Sequence, residues 1–182
     1  MEVEAFVDSD WASCSTTRKS TSGGVLKCLG CVVHHYSKTQ DSIALSSGEA
    51  ELYAIGTGLR ELLGVANFLR ETQLLPQPLL RLYTDSSAAK AITTRTGASK
   101  LTKHISLRYL YMQDLVSSNY VKVNKVLGTM NFADVLTKYV DKPTLSRHLA
   151  SLGLVTILEH FTLDPSAYYT SCVLHTKRSK AW

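Results

Sequence analysis

The sequence predicts an α/β domain, a mixed sheet with helices packed on it. Three observations carry that prediction. Short segments rich in valine, leucine and aromatic residues come first, separated by turn residues. From Ser46 the apolar period changes from that of a strand to that of a helix. The resulting order, β-β-β-α-β-α-α-β-α, interleaves strands with helices. With 182 residues, 45% of them hydrophobic, the chain has material for one domain of ordinary size plus an extension.

"VEAFVD", Val3 to Asp8, reads as the first strand. A polar loop, Ser13 to Gly24, follows and carries Arg18 and Lys19. "GVLKCLGCVVHHYS", Gly24 to Ser37, reads as a hairpin turning near Leu29 and Gly30. "SIAL", Ser42 to Leu45, reads as a short strand before the first helix. In that helix Leu52, Ile55, Leu59, Leu62, Leu63, Ala66 and Leu69 fill an arc of roughly 120°. Pro76 and Pro78 exclude its continuation. "LLRLYTD", Leu79 to Asp85, is a strand and "SSAAKAI" a short helix; "TTRTGASKLTKH" is a basic loop. "ISLRYLYMQDLV", Ile105 to Val116, is a helix, and "YVKVNKV", Tyr120 to Val126, alternates as a strand does. "NFADVLTKYV", Asn131 to Val140, reads as a helix, and "TLSRHLASLGL" as another that ends at Gly153.

Charged residues at 19% argue against disorder, and the net charge of +5 suits a polyanionic partner. The number and scatter of Cys14, Cys28, Cys31 and Cys172 do not form a disulfide framework, which points to a reducing compartment. No apolar run approaches the ~20 residues of a membrane span. The N-terminus has neither the basic start nor the apolar stretch of a signal peptide, and reads as if cut from a longer polypeptide.

The carboxylates sort by geometry. Ser46 and Glu49 have the spacing of a capping box, which sends the Glu49 side chain back to the Ser46 backbone. With Glu51 set at zero, the apolar arc runs from about 0° to about 120°, and Glu49 falls at about 160°. Glu51 is therefore on the edge of the buried stripe, where a carboxylate needs a partner, the ordinary one being a lysine or an arginine. Asp8 and Asp85 each end an apolar strand. If those strands are parallel neighbours, both acids emerge where open sheets place their ligands. Each aspartate also has an ordinary role open to it: Asp8 as a turn former, Asp85 as a helix cap, and Asp134 as an acid in a first helical turn.

Five ordered blocks carry a resemblance: "DSDWASCSTTRKSTSGG", "ALSSGEAELYAI", "LYTDSSAAKAI", "SKLTKHISLRYLYMQDLV" and "NFADVLTK". Together they resemble the ribonuclease H domain of copia-type LTR retrotransposon Pol polyproteins. The resemblance implies a ribonuclease H-like fold, a five-stranded mixed sheet with helices on both faces, over residues 1–140. It makes 141–154 a closing helix and leaves 155–182 as a loosely ordered C-terminal extension. It implies hydrolysis of the RNA strand of RNA–DNA hybrids with two Mg²⁺ ions, or Mn²⁺, held by Asp8, Glu51, Asp85 and Asp134. Asp8 would bridge both ions, with Glu51 and Asp85 on one side and Asp134 on the other. Asp10, in the same block as Asp8, reads as loop-forming. Arg18, Lys19, Lys100, Lys103, His104 and Arg108 are the candidate contacts to the hybrid. The partner within the parent polyprotein would be its reverse transcriptase portion.

The chain differs from the family's pattern at Gly48, Leu52, Ser106 and Leu110, and it has no histidine between Tyr120 and Asp134. "CLGC" with His34 and His35 invites a zinc reading, but adjacent histidines on a strand point to opposite faces. Two other functions stay open: a non-catalytic nucleic-acid-binding or scaffolding module, and a nuclease of the same fold that acts on DNA.

Overall fold

A computed structural model describes residues 1–94 and 108–154. Five strands form one sheet: β1 (Glu2–Asp10), β2 (Thr21–Cys28), β3 (Cys31–Thr39), β4 (Leu79–Thr84) and β5 (Val121–Lys125). The helices are α1 (Ser47–Glu71), α2 (Ser87–Thr94), α3 (Arg108–Ser117) and α4 (Lys142–Ser151). The strand order is β3-β2-β1-β4-β5. β1, β2 and β3 are antiparallel neighbours, whereas β1–β4 and β4–β5 are parallel, so the sheet is mixed as the sequence predicts.

The hairpin turns on Leu29 and Gly30, with φ values of 52° and 82°. Two successive residues at positive φ make the tight turn whose twist matches the flanking strands. β1 runs on to Asp10 and β2 starts at Thr21, two and three residues beyond what the apolar pattern suggests, and Asp10 Oδ1 accepts the Thr21 N–H at 2.5 Å at the end of that ladder.

Side-chain alternation sorts the core onto two faces. Val3, Ala5 and Val7 of β1 meet Leu52, Ile55, Leu59, Leu62 and Ala66 of α1, together with Ala89 of α2 and Met112 of α3. Each of the large α1 side chains contributes roughly 1.5–3 kcal/mol by burial. A Cβ on Gly58 would fall 2.3 Å from Val7 Cγ1, so a hydrogen at this position lets α1 lie flat on β1. On the opposite face Phe6 stacks on Tyr83 and meets Phe132 edge-on, with Val25 and Leu152 closing the cluster. His148 of α4 packs edge-on against Phe132, so helices cover both faces.

Two expected elements are different in the structure. Ser42–Leu45 is not a strand: the Ala44 carbonyl accepts the Trp11 indole N–H at 3.1 Å and is unavailable to a ladder. The neighbouring Gln40 is buried and donates to Ser22 Oγ and to the Ala50 carbonyl, which turns the chain from β3 into α1. The segment Asn131–Val140 is not a full helix either; only Asp134–Leu136 forms a single 3-10 turn. Asn131, fully buried, donates to the Val7 carbonyl at 2.9 Å, and Thr137 donates to Asp8. These bonds to the sheet override helical spacing. Asp141 then caps α4 by accepting the Thr144 N–H, with Pro143 in the first turn.

Candidate functional site

The parallel pairing of β1 with β4 runs from Glu2↔Leu79 to Phe6↔Tyr83. Asp8 lies two residues beyond that last pair and Asp85 directly follows β4, so both carboxylates emerge at one end of adjacent parallel strands. Glu51 is in the second turn of α1, the helix that starts at that end of the sheet. Ser46 starts it, accepting the Glu49 N–H at 3.2 Å. The Glu49 carboxylate reaches back as expected, but to the Leu45 N–H at 2.8 Å rather than to Ser46. Its other oxygen accepts from the Tyr53 hydroxyl, so Glu49 is committed to the helix start.

Asp8, Glu51 and Asp85 converge: one carboxylate oxygen from each lies within 4.8 Å of the others. Asp8 is only 1% exposed, and Glu51 Oε2 is buried without a hydrogen-bond partner. Burial and then the Asp8 charge push the Glu51 carboxyl up to about 8; Ser9 nearby opposes this, and the Asp85 charge adds a smaller push upward. Burial also raises Asp8, against the Thr137 hydroxyl and the Lys138 charge, which lower it. Two like unit charges ~4 Å apart repel by about 4 kcal/mol at an effective dielectric of 20. Three acids in this position need compensating positive charge to ionise together.

The fourth expected acid, Asp134, is not in that group. Lys138 holds it, with Nζ at 2.6 Å from Asp134 Oδ1 and 3.5 Å from Asp8 Oδ2. The Thr137 hydroxyl donates to the same Asp8 oxygen. A Cβ on Gly23, the register partner of Asp8, would fall 2.7 Å from Thr137 Cγ2, so this glycine lets the Thr137 turn settle onto the acids. Burial acts to lower Lys138, but Asp134 and Asp8 outweigh it and carry the ammonium up to about 12.

Asn131, Thr137 and Lys138 escaped the sequence reading. The four-residue spacing of Asp134 and Lys138 was visible, but an assumed helix hid what the segment docks on. Among the basic candidates, Arg18 and Lys19 lie in the loop from β1 to β2, at the same end of the sheet as Asp8; Arg18 is exposed. Arg108 is the first residue of α3. Lys100, Lys103 and His104 lie outside the described residues. Asp10 has the structural role the sequence assigns it. Cys28 and Cys31 flank the hairpin turn, and His34 Nε2 faces Glu61 at 3.6 Å. Among the described residues, potential metal ligands gather only at Asp8, Glu51 and Asp85.

No family model matches the chain. It is 31% identical over 140 residues to the retrovirus-related Pol polyprotein from transposon TNT 1-94 of Nicotiana tabacum, covering 77% of this chain and 10% of that polyprotein. It is 26% identical over 159 residues to the corresponding polyprotein from transposon RE2 of Arabidopsis thaliana, covering 86% and 11%. The chain thus spans about a tenth of the length of the curated relatives it matches. Among solved structures, the N-terminal RNase H domain of Rv2228c from Mycobacterium tuberculosis superposes with a TM-score of 0.53 at 15% identity, over 82% of this chain and 97% of that one. LC11-RNase H1, solved in complex with an RNA/DNA hybrid, gives 0.52 at 13% identity, over 74% and 93%. Sequence and fold agree: the chain is a homologue of one segment of the retrovirus-related Pol polyproteins of plant transposons, and it has the fold of a ribonuclease H domain.

Proposed function

We propose that the chain hydrolyses the RNA strand of RNA–DNA hybrids as a two-metal-ion endonuclease, within the polyprotein of a copia-type element. The observation that carries this reading is the convergence of Asp8, Glu51 and Asp85 at the ends of two parallel strands. The donor set fits the ions. All three ligands are hard carboxylate oxygens, as Mg²⁺ or Mn²⁺ prefers, and the orphaned, buried Glu51 Oε2 is an acceptor in want of a cation.

Asp8, Glu51 and Asp85 would hold the ions, with Asp134 serving the far side. Bound there, such a pair supplies an activated water and stabilises the departing 3′ oxygen. The chain's own residues provide the placement. The Thr137 hydroxyl orients Asp8, and Asn131 ties the Asp134 segment to β1. Asp8 is shielded from bulk water by its own burial, while Glu51 and Asp85 are partly open to solvent. Arg18 and Lys19, with Lys100, Lys103, His104 and Arg108, would grip the hybrid's phosphates and sugars. Products would carry 5′-phosphate and 3′-hydroxyl ends.

The test is cleavage of an end-labelled hybrid with and without Mg²⁺, by wild type and by Asp85→Asn, beside a duplex DNA of the same sequence. Magnesium-dependent cutting of the RNA strand alone, lost in the variant, is the expected result. Binding of hybrid with no cutting by either protein would turn the assignment to a non-catalytic module. Cutting of the DNA duplex would move it to a DNA nuclease.

A further inference from the structure

The acidic cup has two unequal sides. On one, an oxygen each of Asp8, Glu51 and Asp85 converges, and among the described residues neither Glu51 nor Asp85 is in a salt bridge. On the other, Lys138 Nζ lies between Asp134 Oδ1 at 2.6 Å and Asp8 Oδ2 at 3.5 Å. Asp8 Oδ2 also accepts the Thr137 hydroxyl, so two donors already draw on that oxygen. On the reading that these acids hold divalent cations, we infer that Lys138 is a built-in competitor for the cation on the Asp134 side and makes the two ions bind in order.

The physical basis is local. A cation bridging Asp8 and Asp134 needs the lone pairs that the ammonium engages. The two positive charges would also lie within a few ångströms of each other and repel. A cation on the Glu51 side meets three converging carboxylates, and among the described residues no salt bridge holds Glu51 or Asp85. Lys138 is half-exposed, on a stem long enough to swing its head into water when a stronger cation takes the oxygens. The first ion should therefore bind tightly to Asp8, Glu51 and Asp85. The second should bind only as Lys138 yields, which ties activity to the free divalent concentration rather than to hybrid alone.

A purely anchoring salt bridge predicts the opposite sign. If Lys138 only fixed Asp134 in place, removing it would loosen the ligand and weaken the second ion. The experiment is a titration of the whole chain with Mn²⁺, free Mn²⁺ being counted by electron paramagnetic resonance. Wild type is compared with Lys138→Met, Lys138→Gln and the charge-keeping Lys138→Arg, each checked for a cooperative thermal transition. The expected result is one tight and one weak ion in wild type. In Lys138→Met or Lys138→Gln the weak ion tightens by about tenfold or more; Lys138→Arg stays close to wild type. Unchanged or weaker binding in both uncharged variants, beside a wild type that binds Mn²⁺, overturns the competitor role and leaves the metal site standing. No Mn²⁺ bound by wild type or variants at millimolar concentration overturns the metal site itself, and this inference with it.

Discussion

Two glutamates ten residues apart on α1 show opposite solutions to the same problem. Glu61 is partly buried against β3 and is fully compensated: Lys38 Nζ is 2.9 Å away, Arg60 3.1 Å and His34 3.6 Å. Burial acts to raise its carboxyl, yet the bonds and charges of Lys38 and Arg60 hold it below the ordinary range. Glu51 has no such partner among the described residues. It faces Asp8 and Asp85, one of its oxygens is orphaned, and burial pushes its carboxyl up to about 8. A buried carboxylate is thus no sign of function by itself. An acid aimed at other acids is a better one.

The largest effect that separates the two glutamates is catalytic. Glu51→Gln and Asp8→Asn should each lower the rate of hybrid cleavage by about three orders of magnitude, roughly 4 kcal/mol of transition-state stabilisation. Glu61→Gln should leave the rate within about twofold, since surface substitutions away from a site change little. Single-turnover cleavage at saturating Mg²⁺ measures both. Comparable losses from Glu51→Gln and Glu61→Gln would remove the distinction.

A second contrast is thermodynamic and has a definite sign. The folded-state value of Glu51 lies above its unfolded one, so the folded state binds the extra proton. Stability from this group is fully present below the ordinary glutamate range and is lost as pH rises through about 8. In chelator, Glu51→Gln should therefore stabilise the fold at pH 8.5 by on the order of 3 kcal/mol, with the gain fading towards pH 5. Asp8, raised by the same burial, adds to the slope in the same direction. Urea unfolding at the two pH values reads this directly. Added Mg²⁺ should recover stability in wild type and much less in the variant. A gain that did not depend on pH would mean that Glu51 ionises freely.

How far the site could be read from the sequence follows from which interactions are local. The edge position of Glu51 came from helical periodicity, and α1 buries Leu52, Ile55, Leu59 and Leu62 as that periodicity requires. The shared end of β1 and β4 followed from two strands that each close on an aspartate. The segment from Asn131 to Val140 departs from the helix its spacing predicts because its conformation is set by bonds to β1 and not by its own propensities. Ser42–Leu45 was misread for a similar reason: Trp11, 33 residues away from Ala44, takes the carbonyl a ladder would need. The ammonium between Asp8 and Asp134 depends on that same long-range docking, and no periodicity reveals it. Asn131→Ala should therefore cost about 2 kcal/mol of stability, by leaving the buried Val7 carbonyl unpaired. It should also loosen Asp134 on one side of the cup while leaving the Glu61 network untouched, which a thermal melt and a hydrogen-exchange profile would separate.

Glu61 gives the smallest effect, and its sign is reversed. Its carboxyl is held low by cations, so its contribution is present above the unfolded glutamate value and is lost as pH falls through its folded one. Its partners are substantially exposed, at 41%, 50% and 69%, and water and salt screen the attraction. Glu61→Gln should accordingly cost less than about 1 kcal/mol at neutral pH in low salt, with the loss shrinking at high ionic strength. Measured side by side in chelator, the two glutamine variants should give stability differences of opposite sign at pH 8.5. On lowering to pH 5 the Glu51→Gln gain collapses, while the Glu61→Gln cost persists until the pH approaches the depressed Glu61 value. A stabilising Glu61→Gln would mean that Lys38 and Arg60 do not compensate its burial, and that solvation alone separates the two glutamates.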